Sequence, residues 1–163
     1  MGSESKGGGG AVALILLACY LLPGDASFAR YHISRMVGAK PTPTRAIIER
    51  EIDRVADEYG LKRNLLRALI KVESGGNPKA ISKVGARGIT QVMPANAKRC
   101  GLPHPDHLWD LVHNLRCGAQ ILSEEIREHQ DVKRALTVYN CGRVKCPAGQ
   151  QYASKVLALS KLY

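Results

Sequence analysis

The chain has 163 residues, with 24 Lys and Arg against 14 Asp and Glu, a formal net charge of +10 and a pI near 9.6. That length suits one compact domain plus a leader. With aromatics at 5%, one Trp and one Phe, an aromatic-rich core is excluded, and Leu, Ile, Val and Ala must supply the interior. The basic balance favours a polyanion as partner, be it nucleic acid, anionic membrane or acidic wall polymer, and charge alone does not choose among them.

In chain order, Lys6 and four glycines precede a 12-residue apolar run from Ala11 to Leu22, followed by Pro23, Gly24 and the small-residue tract ending Ser27-Phe28-Ala29. A short basic region, a short apolar region and an S-x-A ending predict an export signal over residues 1–29, cleaved after Ala29. The run is shorter than the roughly 20 residues a membrane span needs. Retention as an N-terminal anchor and lipidation at Cys19, within Leu16-Leu17-Ala18-Cys19, are the alternatives. Removing residues 1–29 leaves 23 basic against 12 acidic residues. The expected place is therefore exported and periplasmic. A nucleic-acid partner is not expected, because no binding motif accompanies the charge.

Residues 30–44 carry prolines at 41 and 43 and no sustained period, which predicts an irregular lead-in. From residue 45 to 163 the pattern is helical. Ile48, Ile52, Val55, Ala56 and Tyr59 predict a first helix stopped by Gly60, and Leu65, Leu66, Leu69, Ile70 and Val72 a second, from Lys62 to Glu73. Ser74-Gly75-Gly76-Asn77-Pro78 breaks that helix, and Gly85 to Gln91 forms a turn into a short helix limited by Pro94. Asn114 is a plausible N-cap for a helix through His129, Asp131 for the next, which ends near Gly142. A last helix runs from Gln150 to Lys161, with Tyr152, Val156 and Leu159 as core candidates. No two-residue alternation occurs. The expected fold is all-α, with little or no sheet.

Four cysteines follow the leader, Cys100, Cys117, Cys141 and Cys146. An even number in an exported protein favours two disulfides. Of the three pairings, Cys100–Cys117 with Cys141–Cys146 is preferred because each closes a short local loop; four separate buried thiols are the alternative. His104, His107 and His113 could join cysteines around zinc, but the spacings match no compact module, and they read as loop histidines. No metal or cofactor is expected.

The chemistry concentrates at Glu73. It ends an apolar helix, faces a glycine-rich turn, and is the one acid between residues 59 and 105. A carboxyl held against apolar surface, at a helix C-terminus, has its charged form disfavoured and can serve as a general acid near neutral pH. Such an acid can protonate the leaving oxygen of a glycosidic bond.

Three blocks then carry a resemblance: Val72-Glu73-Ser74 with Gly-Gly-Asn-Pro, Gly85 to Pro94 (GARGITQVMP), and Val138-Tyr139-Asn140-Cys141-Gly142. Asn114-Leu115-Arg116-Cys117-Gly118 lies between the last two. The chain resembles the catalytic domain of lytic transglycosylases of the soluble type, members of the lysozyme-like superfamily, over roughly residues 45–160. Thr90 stands where the family usually has Met, and Cys141 where Ala is usual. The departure at Thr90 raises the expectation of a lost or altered apolar subsite contact. Cys141 suggests a disulfide-bearing subgroup.

The resemblance implies a compact lysozyme-like fold and peptidoglycan glycan strands as substrate. Glu73 is then the acid, and Ser74, Gln91, Tyr139 and Asn140 orient it or contact the glycan. It also implies a small, specialised enzyme, monomeric, acting beside a secretion or conjugation machine. A goose-type-like lysozyme is one alternative, with Asp106 or Asp110 as second carboxylate if the fold brings either close. A non-catalytic wall-binding scaffold is the other.

Overall fold

The computed structural model describes residues 26–36, 38 and 42–163, which fall into two units, the first ending at Ile48 and the second spanning Glu49–Tyr163. The apolar run from Ala11 to Leu22 and Cys19 lie outside the described residues. In the first unit, α1 (Ala26–Met36) is helical where an irregular lead-in was expected from residue 30, and the expected cleavage point after Ala29 falls inside it. The reason is local: neither Gly nor Pro occurs between residues 26 and 36, and the prolines that suggested irregularity lie beyond its end.

Five further α-helices follow among the described residues: α2 (Arg45–Glu58), α3 (Arg63–Ser74), α4 (Leu111–His129), α5 (Val132–Cys141) and α6 (Pro147–Ser160). Among the described residues, extended pairing is limited to the bridges Ile81 to Arg87 and Arg87 to Val92. The all-α expectation stands. No described helix is long and apolar enough to cross a membrane.

At 19 residues, α4 runs about 28 Å and is the central element. Leu111, Leu115, Gly118, Leu122 and Glu125 are buried along one line, and Asn114, Cys117 and Ile121 along another, so the helix is covered on much of its circumference. The fifth helix packs against both α4 and α6, and α3 packs against α6. At the α5–α6 crossing Gly149 is required, because a Cβ there would collide with Cys141 Sγ and the Thr137 carbonyl. Both preferred disulfides are present. Cys100–Cys117 ties the 94–109 segment to α4, and Cys141–Cys146 closes the junction between α5 and α6.

Three local readings change. The N-cap of α4 is Asp110, not Asn114: its Oδ1 accepts from the Val112 and His113 amides at 3.1 and 3.0 Å. Pro94 begins a 3-10 turn (Pro94–Asn96) instead of limiting a helix, since its fixed φ and missing N–H suit a first helical position. Residues 87–92 form a tight hairpin, with Arg87 and Val92 exchanging amide–carbonyl bonds of 2.9 and 3.0 Å.

Asn114 instead lies inside, at 1% exposure, and hangs that hairpin on α4. Its Nδ2 donates to the carbonyls of Arg87 and Leu108 at 2.8 and 2.9 Å. Its Oδ1 accepts from the Thr90 amide at 2.9 Å and the Thr90 hydroxyl at 2.7 Å. Every hydrogen-bonding site of the amide is thus used. One turn on, Gly118 gives Thr90 room, since a Cβ there would overlap the threonine side chain. Gly88, at φ 78°, does the same for the Asn114 amide.

Replacing Asn114 by Ala strands the buried Thr90 amide N–H and the Leu108 carbonyl, whereas the Thr90 hydroxyl keeps the backbone carbonyl of residue 114 at 3.0 Å and the Arg87 carbonyl keeps the Val92 amide. The expected cost is about 3 kcal/mol. Chemical denaturation of Asn114→Ala should show it as a lower midpoint at unchanged slope; a loss within experimental error would refute the hub role.

Candidate active site

The acid is presented by the last turn of α3. Leu65, Leu66, Leu69 and Ile70 bury one face of that helix, and Gly75 (φ 65°) and Gly76 (φ 90°) then reverse the chain in the left-handed region that glycine favours. Ser74 locks the reversal: its hydroxyl donates to the Ile89 carbonyl at 2.7 Å and accepts from the Gly76 amide at 3.1 Å. Ser74 is therefore engaged in holding the end of α3 against the hairpin, next to Glu73.

Glu73 itself is half-buried. Its Oε1 accepts a hydrogen bond of 2.5 Å from the Tyr152 hydroxyl, across 79 residues of chain. Burial pushes its carboxyl up from 4.5 to about 7, and the Tyr152 bond partly opposes that rise by favouring the ionised form. Tyr152 was expected in the core; it is half-buried, with its hydroxyl on the acid. Burial raises the phenol's own pKa above its ordinary value, with the Glu73 charge adding to the effect. It thus remains a neutral donor at any physiological pH.

Tyr139 comes from α5. Its ring packs beside the cluster of Val92, Ala97, Leu102, Leu108, Cys117 and Ile121, and its hydroxyl donates to the Thr90 carbonyl at 2.8 Å. Burial, then the nearby Glu73 charge, raises its pKa as well. Tyr139 is thus near the acid, and its bond is to the hairpin. Asn140, the next residue, is exposed in the last turn of α5 and is not brought onto the acid by a hydrogen bond.

Gln91 sits at φ 52°, a left-handed conformation that is uncommon for a side-chain-bearing residue and sets the corner of the hairpin. Its Nε2 donates to the carbonyls of Gly88 and Ala80 at 2.8 and 3.2 Å. Both amide hydrogens are therefore engaged, and only the amide oxygen could serve a ligand. Thr90 does not line a groove: it is fully buried against Asn114.

Neither proposed second carboxylate approaches the acid in an electrostatic sense. Asp106 is exposed and ion-paired with Arg87 at 2.8 Å, Asp110 caps α4, and burial and Tyr152 are the influences on Glu73. The cysteines of the zinc reading are in disulfides, so no thiolate is left to ligate a metal.

A half-buried acid, a tyrosine donor bonded to it and a serine-locked helix end make up the geometry around Glu73. The chain belongs to the transglycosylase SLT domain family, whose model matches residues 50–157. It is 35% identical over 103 residues to a transglycosylase of Enterobacteria phage PRD1, covering 61% of this chain and 38% of that one. Over 73 residues it is 36% identical to the endo-type membrane-bound lytic murein transglycosylase A of Klebsiella pneumoniae, covering 40% of this chain and 36% of the relative. The chain thus spans well under half the length of these relatives.

At the level of fold, it is similar to the lytic transglycosylase Slt of Pseudomonas aeruginosa, solved as an inactive mutant. The TM-score is 0.64 at 22% identity, covering 90% of this chain and 31% of that one. The 70-kDa soluble lytic transglycosylase of Escherichia coli matches with a TM-score of 0.62 at 18% identity, covering 91% and 28%.

Two measurements follow from the buried acid. In a carbon-detected NMR titration, the Glu73 carboxyl should ionise near pH 7, and Tyr152→Phe should move that midpoint upward because a bond to the charged form is lost. A midpoint near 4.5 in either protein would show the acid to be solvated. Stability gives the second test. With the folded-state value above the unfolded one, the unfolded chain releases its proton first, so stability falls as pH rises from about 4.5 to about 7. The full penalty above that window is about 3 kcal/mol. Glu73→Gln should therefore melt higher than the parent at pH 8, with the difference vanishing near pH 4.

Proposed function

We propose that this chain is a peptidoglycan lytic transglycosylase, acting on the bond between N-acetylmuramic acid and N-acetylglucosamine without consuming water. The observation that carries the reading is a carboxyl poised near pH 7 with a tyrosine, and no second acid, among the influences upon it. An ordinary glycosidase divides the work between two carboxylates, whereas one suffices if the sugar supplies its own nucleophile. Family membership and the murein transglycosylases among the relatives support the same reading.

The chemistry uses Glu73 twice. Protonated, it gives its proton to the glycosidic oxygen as the bond to the muramic C1 breaks, and the muramic N-acetyl group supports the positive charge at C1. The resulting carboxylate, accepting the Tyr152 hydrogen bond, then takes the proton from the C6 hydroxyl, whose oxygen bonds to C1. A 1,6-anhydromuramic end results, and Glu73 is again protonated. Ser74 acts through the backbone, and Tyr139 through the hairpin it holds, while the Gln91 amide oxygen and Asn140 remain the polar contacts available to the sugars.

Export belongs to the same proposal, with residues 1–29 as the leader and residues 45–163 as the catalytic domain. So does local wall opening beside a secretion or conjugation machine, which rests on the resemblance to small specialised transglycosylases.

Mass spectrometry of soluble products from purified peptidoglycan, with Glu73→Gln as control, tests the reaction. Muropeptides lighter by one water than their hydrolytic counterparts are expected, absent with the variant, and the rate should fall as pH rises through about 7. Ordinary reducing ends would make the protein a hydrolase. Absence of products would favour a binding scaffold.

A further inference from the structure

The connection between α5 and α6 is Cys141-Gly142-Arg143-Val144-Lys145-Cys146, closed on itself by a disulfide. It starts directly after Asn140 and ends at the N-cap of α6, the helix that delivers Tyr152. Gly142, at φ 68°, turns the chain out of α5, and residues 142 to 145 are all exposed. The ends are fixed on both sides, by the disulfide and by the close α5–α6 approach at Gly149. A loop held this way loses little freedom when a ligand docks, which favours binding.

Among the described residues, its charges have no carboxylate partners. Arg54, Arg63, Arg67, Arg87, Arg99 and Arg116 each form an ion pair, while Arg143 and Lys145 form none with any described residue. Nor can one arise from nearby sequence, because no Asp or Glu occurs between Val132 and Tyr163. These cations also leave the acid alone, since no basic group figures among the influences on Glu73. A cation beside the carboxyl would hold it ionised and remove the proton the reaction needs. Arg143 and Lys145 therefore stand on the link between the helix of Tyr139 and the helix of Tyr152, suited to a negative group of the substrate away from the bond being cut. The sugar rings of the glycan are neutral. Its carboxylates are carried by the peptide substituents on the lactyl groups of the muramic residues.

We propose that the disulfide-closed loop Cys141–Cys146 recognises the carboxylate-bearing peptide substituent of the glycan strand, with Arg143 and Lys145 as its charge partners. The assignment rests on the transglycosylase reading and adds the part of the substrate that the site's flank selects.

The test uses two soluble substrates, uncrosslinked glycan strands bearing their peptides and the same strands with the peptide carboxylates converted to neutral amides. The double charge reversal R143E/K145E, on exposed positions that leave the core untouched, should raise KM roughly tenfold on peptide-bearing strands at little change in kcat. No comparable rise is expected on amidated strands. A second variant, K133E/R134E, reverses two exposed cations at the start of α5 and should leave both KM values near those of the parent. An equal rise on both substrates, an unchanged KM, or the same rise in K133E/R134E would overturn the loop's role while leaving the transglycosylase reading in place. Failure of the parent protein to turn over either substrate would instead overturn that reading, and this assignment with it.

Discussion

The site depends on one buried amide. Asn114 uses both hydrogens and its oxygen to fix the 87–92 hairpin to the central helix. The hairpin in turn presents two successive carbonyls to other elements. The Ile89 carbonyl receives the Ser74 hydroxyl and so fixes the end of α3; the Thr90 carbonyl receives the Tyr139 hydroxyl and so fixes α5. Gln91 completes the set by bonding back to Gly88 and Ala80. Three consecutive residues with almost no regular pairing thus set the distance between the helix that carries the acid and the helix that packs across from it. The small residues at Gly88 and Gly118 follow from this constraint, because both give way to the Asn114–Thr90 contact.

The electrostatics follow from where acids are left out. From Tyr59 to Pro105 Glu73 is the one acid, and from Val132 to Tyr163 there is none, so the two stretches that build the site hold a single carboxyl. The remaining acids of the second unit lie mainly on α2 and α4, where Glu58, Glu124 and Glu125 pair with arginines. A carboxyl without neighbours of its own sign is governed by burial, and burial favours its protonated form. The tyrosine bond then matters for geometry more than for charge: it opposes the shift yet holds Oε1 in one orientation through donation and later acceptance of the proton. A proton acceptor in that place would compete for the proton, whereas a phenol kept neutral can only donate to the carboxylate.

Much of this was legible in sequence, and the failures share a cause. Glu73 was readable because its signal is local: an apolar helix, its abrupt end, and the absence of other acids. The disulfide pairing was readable because each pair closes a short loop. Tyr152 was not, because its spacing with Val156 and Leu159 reports that it faces inward and says nothing of whether its hydroxyl meets a partner 79 residues earlier. Asn114 was misplaced for a related reason. An Asn near a helix start fits a cap by propensity, but Asp110, four residues earlier, already supplies that cap, and the Asn114 amide is spent on long-range bonds. Thr90 was tied to an apolar subsite contact because it stands where the resembled family usually has Met. The hairpin's corner turns Thr90 and Gln91 in different directions, and φ at Gln91 is not a quantity that composition reveals.

The disulfides answer a shortage that the composition announces. With one Trp and no Phe, the second unit has few large side chains with which to lock non-helical segments, and the segment from Pro94 to Trp109 is built from 3-10 turns with little repetitive hydrogen bonding. Cys100–Cys117 fastens that segment to α4 beside the cluster on which Tyr139 rests. Cys141–Cys146 fastens the other side, where α5 hands over to α6. Covalent closure of a short loop acts chiefly by limiting the unfolded chain, so it adds order where side-chain volume is lacking. Each bridge is placed one step behind a tyrosine and not at the acid itself. The carboxyl keeps a surrounding that a buried, neutral hydroxyl controls, while the covalent bonds hold the elements that position those hydroxyls.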